Sequence, residues 1–359
     1  MSTKKLRIIV IGCGNMGTSH ARAYFKLDGF EIVGLVDRNQ GNLERLTKEM
    51  GAIPTYNNFD IALKETKPDA VCISTYPGTH AEFAIKALES GAHVFVEKPI
   101  AETLEDANAV VKAAKKADKK VVVGYILRHH PGWKQFIEVA TTLGKPLVMR
   151  MNLNQQSTGK EWKVHRSIME AMSPIVDCGV HYVDVMCQMT KANPVSVSAI
   201  GARLSDEIDP DQYNYGQLQV RFDDGSVGWY ESGWGPMISE QAYFVKDVMG
   251  PKGSVSISKN TFDLPQGSSA DIGGHTSVQR LRLHHSELNS DGKLSRADEM
   301  LEAPSEPDHD ELCYFEQEFF LKAIQENLDL SDHLSEVVHT LKIVLASDES
   351  VKTGKTVEL

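Results

Sequence analysis

The sequence predicts an α/β protein: an N-terminal doubly wound parallel sheet, then an α/β domain on a large, mostly antiparallel open sheet. Three observations predict this. Short β-branched runs alternate with helical stretches over the first 125 residues. Longer period-two segments replace them after about residue 125. The length of 359 residues also suits two domains, which the pattern divides as 1–124 and 125–359.

In the first domain, LRIIVIG (6–12) is an unbroken apolar run ending in glycine, as expected of a strand buried on both faces. A helix follows from about Met16 to Leu27, then strand FEIVGLVD (30–37) and a helix around Asn42–Met50. Strand PDAVCIST (68–75), a helix over His80–Ser90 and strand AHVFVEK (92–98) continue the alternation. A helix from Leu104 to Ala117 leads to KVVVGY (120–125).

A helix near Gly132–Thr142 opens the second domain and ends at Gly144-Lys145-Pro146. Strands are expected at 146–154, 194–203, 215–222 and 226–233, the last two joined by Asp223-Asp224-Gly225, a hairpin signal. Further strands are expected at 242–249 and 253–258. The Ser-, Gly-, Asp- and His-rich stretch 259–305 reads as loops around one strand, and two helices close the chain at 309–327 and 332–351. Such a sheet leaves one face open to a partner.

Composition narrows the function. Lys and Arg number 38 against 49 Asp and Glu, a net charge of −11, which excludes a basic nucleic-acid surface. No run of about 18 apolar residues could span a membrane. The start, MSTKKLRIIVIGCG, runs straight into a glycine turn and reads as a first strand, not a signal peptide. The five cysteines (Cys13, Cys72, Cys178, Cys187, Cys313) show neither CxxC nor a disulfide ladder, so reduced thiols in the cytoplasm are expected.

Gly12-Cys13-Gly14-Asn15-Met16-Gly17 matches GxGxxG between a strand and a helix. Gly12 permits the tight turn, Gly14 lets the backbone approach a pyrophosphate, and Gly17 lets helix and sheet pack closely. The helix N-terminus offers N–H groups and the positive end of its dipole. Asp37, 20 residues after Gly17, stands where an acid hydrogen-bonds the adenosine ribose hydroxyls. Its charge favours NAD over NADP, while Arg38 could pair with a 2′-phosphate or simply be a solvated side chain beside the adenine.

Two further elements carry acid–base chemistry. Glu97-Lys98-Pro99 sits at the carboxyl end of a strand, the edge where open α/β sheets bind ligands. Lys98 there can polarise an oxygen and stabilise developing alkoxide, or be an ordinary exposed strand-end lysine. Ser173-Pro174 starts a helix carrying Asp177 and His181 at i and i+4, with Asp184 a turn further. Apolar Ile175, Val176, Val180, Val183 and Met186 surround them, so these polar groups need partners or a task. Histidine suits a general base, and a satisfied Asp–His core pair would equally meet that need. A metal held by Asp177, His181 and Asp184, with His129-His130 or His284-His285, lacks any HExxH or CxxC support. Cys178 as a nucleophile is disfavoured by its acidic neighbour. Trp229, Tyr230 and Trp234 read as sheet face before sugar platform.

The combination of GCGNMG, THAEFAIKALESGAHVFVEKPIAETLEDA (79–107), DCGVHYVD (177–184) and GPKGSVSI (250–257) resembles the glucose–fructose oxidoreductase/inositol dehydrogenase (Gfo/Idh/MocA) family of NAD(P)-dependent oxidoreductases. The resemblance implies a Rossmann domain, an α/β domain that builds homodimers or homotetramers through its sheet, and a catalytic set of Lys98, Asp177 and His181. It implies cofactor contacts from Gly12, Gly14, Asn15, Met16, Gly17, Asp37, Arg38, His80, Glu97 and Lys98, with Ser74, Thr75, Tyr76 and Pro77 along the nicotinamide half. Substrate contacts are expected from Arg128, Asp177 and His181, and from Trp162, Lys163 and His165 in a loop before the helix. Where the family often has a glycine pair, this chain has Ala171-Met172-Ser173-Pro174, which bears on the shape of the pocket.

The activity so implied is oxidation of a secondary hydroxyl on a cyclic polyol or sugar. A cation from the nucleotide-binding half and an imidazole from the other half would meet at one alcohol oxygen. The same set would start a redox-neutral glycosidase or epimerase reaction. Reduction of an imine or diene would use the cofactor without needing a base at position 181, and a cofactor-sensing regulator would need no chemistry at all.

Overall fold

A computed structural model describes residues 4–238, 245–258 and 276–359. The chain forms two compact units, and both are discontinuous. One comprises Met1–Ile126 with Asp308–Val338, the other Leu127–Pro307 with His339–Leu359. A single division at 124/125 does not convey this return of the C-terminal segment.

The first unit is built on six parallel strands: β1 (Leu6–Ile11), β2 (Phe30–Val36), β3 (Thr55–Tyr56), β4 (Ala70–Ile73), β5 (His93–Glu97) and β6 (Val121–Gly124). Their order is β3-β2-β1-β4-β5-β6, so the chain reverses direction across the sheet at β1/β4. Helices α1 (Asn15–Lys26), α2 (Gln40–Met50), α3 (Phe59–Thr66), α4 (His80–Glu89) and α5 (Leu104–Ala117) make the connections. Strand β3 and helix α3 are additions to the sequence reading; the Asn58 side chain caps α3 by accepting from Ile61 N.

Helix α9 (His309–Gln325) belongs to this unit because its apolar face completes the core. Phe320 and Ala323 pack with Leu35, Phe95, Tyr24 and Phe30, and the Phe320 ring stacks on Phe30 at 6.0 Å. Asp308 and Glu311 form a reciprocal capping box that starts α9.

The second unit carries nine strands: β7 (Val148–Gln156), β8 (Pro194–Ala202), β9 (Tyr215–Phe222), β10 (Val227–Gly235), β11 (Lys246–Gly250), β12 (Gly253–Ser258), β13 (Arg280–His285), β14 (Glu299–Glu302) and β15 (Val357–Glu358). They lie in the order β14-β13-β12-β11-β7-β10-β9-β8-β15, antiparallel except for β7 beside β10. Gly225, at φ +84°, makes the β9–β10 hairpin turn. The expected strand at 242–249 is described only from 245, and 259–275 lie outside the described residues. Within 276–305 two strands form where one was expected. Helices α6 (Pro131–Thr142), α7 (Gly159–Met169) and α8 (Pro174–Thr190) complete the unit, and α10 (Ser331–Thr353) begins in the first unit and ends in this one.

Candidate active site

The glycine loop after β1 has the shape the motif demands. Gly12 lies at φ +83°, and a Cβ there would fall 2.4 Å from Ser74 O. A Cβ on Gly17 would fall 1.7 Å from Gly12 O. Gly14 differs: a Cβ there would meet nothing within 4 Å, so the loop is open on that side. No side chain caps the first turn of α1, and no acidic residue lies in it. An open backbone at an uncapped helix N-terminus is what a pyrophosphate requires, so these residues fit a dinucleotide.

Asp37 follows β2 and braces this loop. Its carboxylate accepts from Cys13 N at 2.7 Å, Asn39 N at 2.7 Å and Asn42 Nδ2 at 3.1 Å. Arg45 supports the loop from α2, donating to Cys13 O and Thr18 Oγ1 at 3.1 and 2.8 Å; the sequence reading missed it. Burial, and then the Asp37 charge, push the Cys13 thiol up to about 12, so it is inert. Arg38 and Tyr76 are exposed, whereas Ser74, Thr75 and Pro77 are half-buried.

At the end of β5, Lys98 is half-buried between buried Glu97 and buried Pro99, joined to it by a cis peptide. Glu97 and His80, expected on the cofactor, use their polar atoms within the unit. Glu97 Oε1 lies 2.7 Å from His20 Nε2. The His80 ring nitrogens lie 2.7 Å from Pro99 O and 3.0 Å from Thr75 O.

In the second unit, Ser173 caps α8 by accepting from Val176 N, with Pro174 in the first turn. Thirteen of its 17 residues are buried; the half-buried ones are Asp177, Cys178, His181 and Gln188. Asp177 and His181 therefore share the one stripe that the core does not cover. Helix and sheet approach closely here, since a Cβ on Gly179 would sit 2.9 Å from the Tyr230 ring.

Beside that stripe the fold gathers His165 and Trp234 with Gln155 and Ser157, two residues the sequence did not single out. Gln155 Oε1 accepts from Trp234 Nε1 at 2.8 Å and from Cys178 Sγ at 3.5 Å. The His165 ring stacks on Trp234 at 4.4 Å, and its Nδ1 lies 2.9 Å from Ser157 Oγ. Burial lowers the basicity of His165, and the Asp177 charge opposes that effect. A buried glutamine and asparagine on β7, Gln155 and Asn152, were the available signal, since unpaired amides there would be costly.

Several expectations are corrected. Trp162, Lys163 and His165 lie on α7, not in a loop. They also diverge. His165 feels the Asp177 charge; Trp162 is buried, donating to Glu207 Oε1 at 3.2 Å, and Lys163 lines an outer cavity of about 300 Å³ with Arg166 and Glu207. Arg128 also pairs with Asp184 through Nε–Oδ2 and Nη2–Oδ1 contacts of 2.8 and 2.5 Å. Asp184 thus serves Arg128 and not the Asp177–His181 stripe. Trp229 and Tyr230 point to opposite faces of β10, so the three aromatics form no single platform. His284 and His285 pair with Asp298 and Glu299.

Comparison with known proteins gives this arrangement a family. The model for the oxidoreductase family with an NAD-binding Rossmann fold matches residues 6–125, and the GFO/IDH/MocA C-terminal domain matches residues 134–256. The chain belongs to the GFO/IDH/MocA oxidoreductases. Scyllo-inositol 2-dehydrogenase (NAD(+)) of Bacillus subtilis is 28% identical over 264 residues, covering 70% of this chain and 74% of that protein. D-glucoside 3-dehydrogenase of Escherichia coli is 25% identical over 274 residues, covering 72% and 78%. The fold matches the crystal structure of myo-inositol 2-dehydrogenase from Lactobacillus plantarum, with a TM-score of 0.78, 22% identity, and 99% and 100% of the two chains covered. This chain is therefore an NAD-dependent dehydrogenase by family, and its curated relatives act on inositols and a glucoside. Among the described residues no helix is long and apolar enough to cross a membrane.

Proposed function

We propose that the chain oxidises a secondary hydroxyl of a cyclic polyol or sugar. The observation that carries this reading is the α8 stripe, where Asp177 and His181 are left partly accessible by a helix with 13 of its 17 residues buried. The named substrates of the relatives support the same substrate class.

NAD, when bound, supplies the hydride acceptor. The chain's own residues do the rest. His181 takes the hydroxyl proton as general base. The Lys98 ammonium donates a hydrogen bond to the same oxygen and stabilises its growing charge. Asp177 accepts from the reacting or a neighbouring hydroxyl and fixes the ring's orientation. Gln155 and His165, held by Trp234 and Ser157, offer polar edges for further hydroxyls. The glycine loop, with Asn15 and Met16, binds the pyrophosphate, Asp37 the adenosine ribose, and Ser74–Pro77 the nicotinamide half.

The open sheet face supports self-association in this reading. It presents Gln219, Trp229, Arg150 and Asp247 in one row across β9, β10, β7 and β11, with an Arg150–Asp247 ion pair within it. Five cysteines outside any disulfide, four of them buried, suit the reducing cytoplasm.

The test is a panel of inositols, aldoses and uronic acids assayed for NADH and NADPH formation. At least one cyclic polyol should give steady NADH formation, faster than NADPH. No turnover with any of them, even at alkaline pH, contradicts the proposal. Turnover without added cofactor by protein that retains NAD would instead favour the redox-neutral reaction.

A further inference from the structure

Lys98 is the half-buried member of a turn whose two flanking residues are buried, and each flank ends on a different buried histidine. We propose that His20 and His80 are the positioning residues of Lys98, an inference that rests on the catalytic role given to Lys98 above.

His20 comes from α1 and is fully buried. Gln317 Nε2 donates to its Nδ1 at 2.9 Å, and Tyr24 Oη donates to Gln317 Oε1. That order leaves the His20 proton on Nε2, where it is donated to Glu97 Oε1 at 2.7 Å. The other carboxylate oxygen of Glu97 accepts from Lys98 N at 3.2 Å. Donation therefore runs from Tyr24 through Gln317 and His20 to Glu97, which also accepts from the main-chain N–H of Lys98. Cys313 and Glu316 lie within 4.8 Å of His20 and complete a set of metal-like donors. Both His20 nitrogens are already engaged, so the set reads as a polar network and not a cation site. Glu316 is held in its neutral form by burial and by the Glu97 charge, which leaves the negative charge with Glu97.

His80 works from the other side. Its ring nitrogens lie 2.7 Å from Pro99 O, one residue beyond Lys98, and 3.0 Å from Thr75 O in the loop after β4; burial disfavours the charged ring, so its single N–H donates to one of these carbonyls at a time. The two loops expected at the reacting end of the cofactor thus both lie against one buried ring. The charged and titratable groups facing Glu97 include His20 on α1, Glu316 and Cys313 on α9, Cys72 on β4, His80 on α4 and Lys98 itself.

The test compares Lys98→Met, His20→Leu, His80→Leu and the milder Gln317→Leu, which keeps His20 but removes its orienting donor. Two readouts are taken: kcat and KM on the polyol that the wild type oxidises best, and the Lys98 titration midpoint by NMR after isotope-labelled dimethylation. Because a shift of about 1 Å in a reacting group costs on the order of a hundredfold in rate, each histidine variant should lower kcat by about tenfold or more. KM should change by less than about threefold, as expected when only a transition-state contact is lost. Gln317→Leu should give a smaller loss in the same direction, and it carries the test if a histidine variant does not fold. The Lys98 midpoint should fall in His20→Leu and, less, in Gln317→Leu, because Glu97 is no longer held beside it. Full activity in Lys98→Met would refute the catalytic reading. Loss of activity there, with wild-type kcat and midpoint in the other variants, would overturn the positioning proposal alone. If no polyol turns over, an unchanged midpoint in His20→Leu and Gln317→Leu overturns it on its own.

Discussion

Replacing Asp184 with leucine strands a guanidinium. Asp184 is fully buried, Arg128 is 11% exposed in its side chain, and the two form a forked ion pair. Gln188 Nε2 donates to the same carboxylate at 2.9 Å. Charges about 4 Å apart attract by about 4 kcal/mol at an effective dielectric constant of about 20. Removing one partner from such a pair costs about 3–5 kcal/mol, because the remaining charge stays desolvated. Replacing both by apolar residues of similar size can be nearly neutral. Asp184→Leu and Arg128→Met should therefore each destabilise the protein by about 3 kcal/mol or more, with the double variant well short of their sum. Urea unfolding of the four proteins in a double-mutant cycle measures this. Additive losses, or a single-variant cost below about 1 kcal/mol, would refute the assignment of Arg128 to Asp184. The double variant also tests function: with Arg128 paired to Asp184, its KM for the polyol should stay near that of the wild type.

Other outcomes follow from single contacts. Gly17→Ala places a Cβ 1.7 Å from Gly12 O, backbone that cannot turn aside, so a loss of about 3 kcal/mol or more in unfolding free energy and failure to bind NAD are expected; near-normal NAD affinity would contradict the loop geometry. Asp37→Ala removes the acceptor for Cys13 N and Asn39 N, and hydrogen bonds to a charged group of about 1.5–3 kcal/mol each imply at least a tenfold rise in the NAD dissociation constant, read by fluorescence titration. The same substitution should narrow the preference for NAD over NADP. Burial, with Lys134 and Arg128 nearby, lowers His129 from 6.5 to about 3. A lowered histidine contributes stability that is intact above about pH 6.5 and drains away as pH falls towards 3, since the unfolded chain takes up the proton first. Between pH 7 and pH 4 the wild type should lose about 3 kcal/mol more than His129→Gln; equal losses by urea titration would contradict this burial.

The glycine loop and the α8 stripe were legible because local chemistry dictates them. LRIIVIG can bury both faces only as an inner strand, Gly12 supplies a positive φ, and Ser173-Pro174 marks a helix start wherever it is placed. Helix α7 was not legible because only Trp162 and Met169 of its 11 residues are buried, too few to print a stripe. Partners distant in sequence were equally hidden. An amphipathic pattern shows that α9 buries a face, but not that the face completes a core near the start of the chain or that Gln317 orients His20. Arg128 and Asp184 each read as functional on its own, and only the fold reveals that each answers the other across 56 positions. His80 and Glu97 belonged to a motif whose inward-facing half cannot be told from its outward-facing half by spacing.

The most direct measurement is single-turnover hydride transfer, followed by NADH absorbance, with enzyme in excess over a cyclic polyol. Wild-type protein should give a full burst, while Lys98→Met and His181→Ala bind NAD normally and give bursts slower by at least a hundredfold, in line with general acid–base and electrostatic contributions of about 10²–10⁴. A burst of wild-type rate from either variant would contradict the assignment of proton removal and oxygen stabilisation to these two side chains.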